Sequence, residues 1–155
     1  ILFSLCFSIL SIALSAQYNV DNIFRKYKND KGVIAWQLEG DLSSFISRED
    51  NLNIKSALES VDFVMFPSGQ DISEKDKAKL KVKLEQDQYE MLIMARNSGH
   101  NIKIMGIEKG DAIKKVFAQM LFEDMHAYFF LTGDIYLDDL QNIQYDKLFE
   151  GLNFD

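Results

Sequence analysis

The chain has 155 residues, with 24 acidic and 17 basic side chains and a net charge of −7. That balance argues against nucleic acid and anionic membrane surfaces as partners, because both need a positive footprint. The one cysteine, Cys6, leaves no internal disulfide framework, so stability must come from an apolar core.

Residues 1–16 carry no charge and run from Ile1-Leu2-Phe3-Ser4-Leu5-Cys6 to Ala13-Leu14-Ser15-Ala16. An apolar, helix-forming run that closes on small residues is the pattern of a secretory signal peptide and its cleavage site. A transmembrane anchor is the alternative, but it normally needs about 20 apolar residues, and serine recurs here. Leu5 precedes Cys6 where lipoprotein processing expects a small residue, so Cys6 reads as an ordinary member of the apolar segment. Residues 17–155 then form one exported domain with no further membrane span, located in the periplasm or at the outer membrane.

Asp21 to Lys28 predicts a short helix, with Asp21 as cap and Ile23, Phe24 and Tyr27 on one side. Asn29-Asp30-Lys31-Gly32 stops it. Val33 to Leu38 predicts a strand apolar enough for the sheet interior. Asp41 to Ile46 suits a capped helix, and a weaker helical segment falls around Ile54 to Leu58. Val61 to Phe66 predicts the second strand, closed by Pro67-Ser68-Gly69.

Residues 72–86 admit two readings. Ala78-Lys79-Leu80-Lys81-Val82-Lys83-Leu84 alternates like an edge strand with a lysine-coated face. The same residues are good helix formers, Asp71 or Ser73 can cap them, and Glu74 and Asp76 suit a first turn. A helix would also provide a crossover between sheet strands, and helix is the reading adopted.

Tyr89 to Tyr136 predicts four consecutive strands. Tyr89–Arg96 ends at Asn97-Ser98-Gly99, and Ile102–Ile107 ends at Glu108-Lys109-Gly110-Asp111. Ile113–Phe122 breaks at Glu123-Asp124, and His126–Thr132 ends at Gly133. The last strand is apolar on both faces, as expected of an interior strand. Short turns force antiparallel pairing, so the block is a β-meander. A last helix is expected from Asp138 through Ile143, and the tail from Gln144 to Asp155 has apolar spacing that suits packing back onto the domain.

These elements make an α+β domain: a mainly antiparallel sheet of about six strands, with short helices on one face. The succession ends in Phe129-Phe130-Leu131-Thr132-Gly133-Asp134-Ile135-Tyr136-Leu137-Asp138-Asp139-Leu140. Together with the apolar leader and Tyr89-Glu90-Met91-Leu92, it resembles the small secreted or lipoprotein envelope proteins of Gram-negative bacteria known as domain of unknown function 4252. The resemblance covers the chain after residue 16 and implies fold and address. It transfers no activity and no functional residue.

No catalytic, cofactor-binding or metal-binding residue is singled out. His100 and His126 fall beside turns without metal-ligand spacing, and no Gly-x-Ser-x-Gly elbow accompanies Ser43, Ser44 or Ser68. Asp134, Asp138 and Asp139 lack the alternation of a calcium loop and read as helix-end carboxylates. Gly106 and Gly110 lack a phosphate-loop context, and Lys75, Lys77, Lys79, Lys81 and Lys83 spread around a helix as a solvated face.

The reading is therefore a non-enzymatic binding module that meets an unknown protein or envelope ligand through a sheet face or edge. If helices cover one face only, the other face offers a homodimer surface. A hydrolase or isomerase built from scattered carboxylates and Tyr or Ser is the alternative. A component of envelope stress signalling is a third reading, drawn from the resemblance alone.

Overall fold

The computed structural model describes residues 20–40, 55–97 and 99–142. The expected signal peptide, the helix at 41–46 and the tail from 144 lie outside the described residues. Two short 3-10 turns, Val20–Ile23 and Arg25–Tyr27, stand where a single helix was expected. They lead into β1 (Ile34–Glu39) and, after the 41–54 segment, β2 (Ala57–Phe66). Helix α1 (Glu74–Gln86) precedes β3 (Glu90–Asn97), β4 (His100–Lys109), β5 (Ala112–Phe122) and β6 (Met125–Ile135). Helix α2 (Leu137–Asn142) follows.

All neighbouring strands are antiparallel, in the order β1-β2-β6-β5-β4-β3. The four-strand meander stands as expected, and β6 closes it against β2. Because β2 lies near one edge and β3 forms the other, the chain must cross the sheet between them. Helix α1 lies within that crossing. Its helical form settles the two readings of 72–86. Ser73 caps it, Glu74 and Asp76 occupy the first turn, and Leu80 and Leu84, one turn apart, are its buried apolar residues, while Val82 faces solvent.

The sheet has an apolar layer on each face. On the α1 face, Val64, Phe66, Phe117, Tyr128 and Phe130 pack with Val20, Ile23 and Phe24 of the first turn and its neighbour, and with Leu80 and Leu84. Phe24 meets Tyr128 and Phe130 with ring centroids 4.7 and 5.0 Å apart. On the opposite face, Val61, Phe63, Ile104, Val116, Met120 and Phe129 are buried, and Leu140 of α2 joins them. Strand β6 is thus buried on both sides, as its sequence predicts. Among the described residues, the second face also carries a buried apolar layer.

Three local expectations are corrected. Val33–Leu38 reads as an interior strand, yet among the described residues β1 stands at the sheet edge, paired with β2. Ala57 and Leu58 read as helical, yet they open β2, because their pairing with Asp134 and Gly133 extends the ladder. Gly133 reads as the end of β6, yet the strand continues to Ile135. At Gly133 φ is +145°, and a Cβ there would overlap the Ala57 carbonyl oxygen and stand 3.0 Å from the Leu58 Cα. The glycine permits the close approach of β2 beside its register shift between Leu58 and Ser60.

Gly133→Ala is expected to cost about 3 kcal/mol, since backbone cannot move aside as a flexible side chain can. Urea unfolding measures it, and a loss under about 1 kcal/mol would show that β2 gives way cheaply.

Candidate functional site

Two features stand out above ordinary packing: polar clusters around the start of α1, and the outer edge of β1. The first cluster centres on Asp76, which is only 3 % exposed. The Ser73 backbone N–H donates to the Tyr27 hydroxyl (2.9 Å), and that hydroxyl donates to Asp76 Oδ2 (2.5 Å). Ser73 Oγ donates to the same oxygen (2.8 Å) and accepts from the Asp76 N–H (3.3 Å). This ring satisfies the cap's own N–H through a tyrosine 46 residues earlier in the chain. Lys26 stands 2.5 Å from Asp76 Oδ2, and Lys79 stands 3.4 Å from Oδ1. The Lys26 ammonium first, then the Tyr27 and Ser73 hydroxyls, hold the Asp76 carboxyl well below the usual carboxylate range, against the opposing effect of burial.

The second cluster centres on Asp71. Its Oδ1 accepts from the buried Tyr128 hydroxyl (2.6 Å) and from the Ile72 N–H (2.7 Å). Its Oδ2 lies 3.0 Å from Lys77 Nζ and 3.5 Å from His126 Nδ1. The 3.5 Å approach of His126 lacks hydrogen-bond geometry. Burial, followed by the hydrogen bond to Asp71, pushes the Tyr128 phenol far above its ordinary value. Tyr89 is pushed up to about 12, chiefly by burial and then by Asp87 and Asp21.

These clusters bring together the residue types an acid–base enzyme would use, but they hold them in structural roles. Asp76 stays ionised and engaged, and Tyr128 is fully buried in the core. The surface beside Asp76 is a shallow depression of about 300 Å³ lined by Asn22, Ile23, Arg25, Lys26, Asp76 and Lys79. Of the two histidines, His100 is exposed and meets Phe122 edge-on at 5.4 Å, whereas His126 faces Asp71. Asp134 pairs with Lys114 across the sheet surface. Asp139 does more than suit a helix end. Its Oδ2 accepts from Lys55 N (3.0 Å), Ser56 N (2.8 Å) and Ser56 Oγ (2.5 Å), tying the entry of β2 to α2. Among the described residues no three His, Cys, Asp or Glu side chains are grouped to hold a metal ion, and no helix is long and apolar enough to cross a membrane.

The edge is different. Ile34, Trp36 and Leu38 point to the face opposite α1, as shown by their partners Met65, Phe63 and Val61. Trp36 packs on Phe63 at 5.1 Å, and Phe63 on Phe129 at 4.6 Å, forming an aromatic row that runs inward from the edge. Ile34 and Leu38 remain 36 % and 38 % exposed. Six consecutive residue pairs join β1 to β2 without a bulge, so the outer edge is regular. The other edge, β3, carries exposed Met91 and Met94, but its pairing with β4 shifts register between Met91 and Ile93.

Fold and edge together define a small α+β protein built on one antiparallel sheet. A family model described as "Domain of unknown function (DUF4252)" matches residues 27–143, and the chain belongs to that family. Neither a curated protein nor a solved structure matches the chain.

Two substitutions test the Asp76 ring. Ser73→Ala removes a cap and is expected to cost about 1 kcal/mol. Asp76 has a depressed value in the folded state, so its stabilisation is complete above the ordinary carboxylate range and fades as pH falls through the folded value. Asp76→Asn should therefore lower stability at neutral pH and flatten the acid limb of a stability–pH profile. An acid limb as steep as wild type would contradict this assignment.

Proposed function

We propose that the chain is an exported, non-enzymatic interaction module that receives an extended polypeptide segment along the outer edge of β1. One observation carries this reading: an apolar strand with interior character stands at an edge. Edge strands are ordinarily guarded by lysine, proline, bulges or covering elements, because their unpaired N–H and C=O groups template further pairing. Strand β1 reads Ile34-Ala35-Trp36-Gln37-Leu38-Glu39, with no lysine or proline and an unbroken register. Strand addition takes affinity from backbone hydrogen bonds and specificity from alternate side chains. Ile34, Trp36 and Leu38 supply that alternation.

Export is supported by the uncharged residues 1–16 and their small-residue close at Ser15-Ala16. The hydrolase or isomerase alternative would rest on the Asp71 and Asp76 clusters, whose carboxylates already serve helix α1 and the core.

Two measurements test the reading. A photo-crosslinking residue placed at Leu38 in the native host should capture a polypeptide, while the same residue at exposed Lys75 on α1 should not. No adduct at Leu38, or equal adducts at both positions, would count against the edge. The intact mass of the protein recovered from the host should correspond to a chain lacking residues 1–16. A mass that retains them contradicts export by cleavage.

A further inference from the structure

We propose that Met91, Met94 and Met105 form a thioether site for a soft monovalent copper ion, Cu(I), on the α1 face of the β3–β4 hairpin. The site is independent of β1, which stands on the far side of the sheet.

Its basis is the register shift in β3. In a regular strand, residues three apart point to opposite faces, so the sheet would separate Met91 from Met94. Here Met91 pairs with Met105 and Ile93 with Ile104, so Leu92 is the extra residue of a bulge. Leu92 and Ile93 both pack against the core that contains Ile104, on the face opposite α1. The bulge therefore returns Met94, opposite Lys103, to the face of Met91. That face is the α1 face, because Met105 packs against its apolar layer. Bulges are over-represented beside active sites, where they re-aim a side chain. The side chain re-aimed here is a thioether.

Three of the chain's six methionines thus share one patch. Met91 and Met105 are direct cross-strand partners, with Cα atoms about 5 Å apart. Met94 stands on the diagonal from Met105, about 7 Å away. An unbranched side chain with three rotatable bonds spans such gaps, so the sulfurs can converge above the hairpin. Filling a core gap explains half-buried Met105. It does not explain Met91 and Met94, which are 46 % and 54 % exposed.

Thioether sulfur is a soft, uncharged donor that selects Cu(I), whereas Ca²⁺ and Mg²⁺ take oxygen ligands and Zn²⁺ takes nitrogen, oxygen or thiolate. The bound ion keeps its charge on neutral ligands. Lys103, opposite Met94, and Arg96, two residues beyond it, share this face and oppose binding, while the net charge of −7 favours it. Lys103 therefore reports proximity: neutralising it should tighten binding.

The test uses the full chain carrying Cys6→Ser, so that no thiolate competes, with Cu(I) kept reduced by ascorbate under nitrogen. Competition against the chromophoric chelator bicinchoninate should show one ion bound per chain. On titration with Ag(I), the oxidation-stable counterpart, the methyl NMR signals of Met91, Met94 and Met105 should shift and those of Met65, Met120 and Met125 should not. Zn²⁺ should move none of them. Met94→Leu conserves volume at an exposed position, so folding should survive, yet Cu(I) affinity should fall roughly tenfold or more. Lys103→Gln should raise that affinity. No Cu(I) retained against the chelator would overturn the site. So would equal shifts at all six methionine methyls, or an affinity that neither Met94→Leu nor Lys103→Gln changes.

Discussion

The crossing from β2 to β3 is the constraint on which the rest of the structure depends. Strand β2 sits one place from the β1 edge, and β3 forms the far edge, so the chain must pass over one face of the sheet between them. A crossing element is stable only if it is fixed at its start and buries an apolar side. Asp71 and Asp76 provide the first by engaging Tyr128 of β6 and Tyr27 of the leading turns, and Leu80 and Leu84 provide the second. Once α1 is fixed, the meander returns strand by strand until β6 closes on β2. That closure buries both faces of β6 and, among the described strands, leaves β1 with one neighbour.

Much of this order can be read from residues alone. The meander shows itself through alternation in Ile102-Lys103-Ile104 and through turn residues such as Gly99 and Gly110, whose φ values of +80° and +68° confirm the need for glycine. The two-faced apolarity of Tyr128-Phe129-Phe130 correctly marks an interior strand. Residues 78–84 show where periodicity fails, since lysine alternation suits both an exposed strand and a helix side. The cap at Ser73 and the acidic first turn decide it. Strand β1 shows the opposite failure: apolarity reports that side chains seek cover, not whether a neighbouring strand provides it. Gly133 was legible as a special backbone position but not as a close approach, because that depends on Ala57, which is 76 residues away in the chain and meets the 133–134 bend only through the β2–β6 register.

The polar clusters were the least legible part. Tyr27 and Asp76 are 49 positions apart, and Tyr128 and Asp71 are 57 apart, so no motif spacing could join them. In the folded chain these acids and tyrosines hydrogen-bond each other across the start of α1, the leading turns and β6. The Asp76 carboxylate is drawn below its ordinary range by a lysine and two hydroxyls, and the phenol of Tyr128 is pushed the other way by burial. Among the described residues, β1 stands at one edge of the sheet, with exposed Ile34 and Leu38 on either side of Trp36 and the aromatic row it joins.

The central claim is that this backbone edge is open in the isolated chain. Residue-resolved amide hydrogen exchange on dilute protein tests it directly, because alternate amides of an edge strand point toward and away from the sheet. From Ile34 to Glu39 the account predicts alternation, with protected amides facing β2 and their neighbours exchanging at nearly unstructured rates. Uniform protection of all six amides at high dilution would mean that the edge is already covered, and would contradict the account.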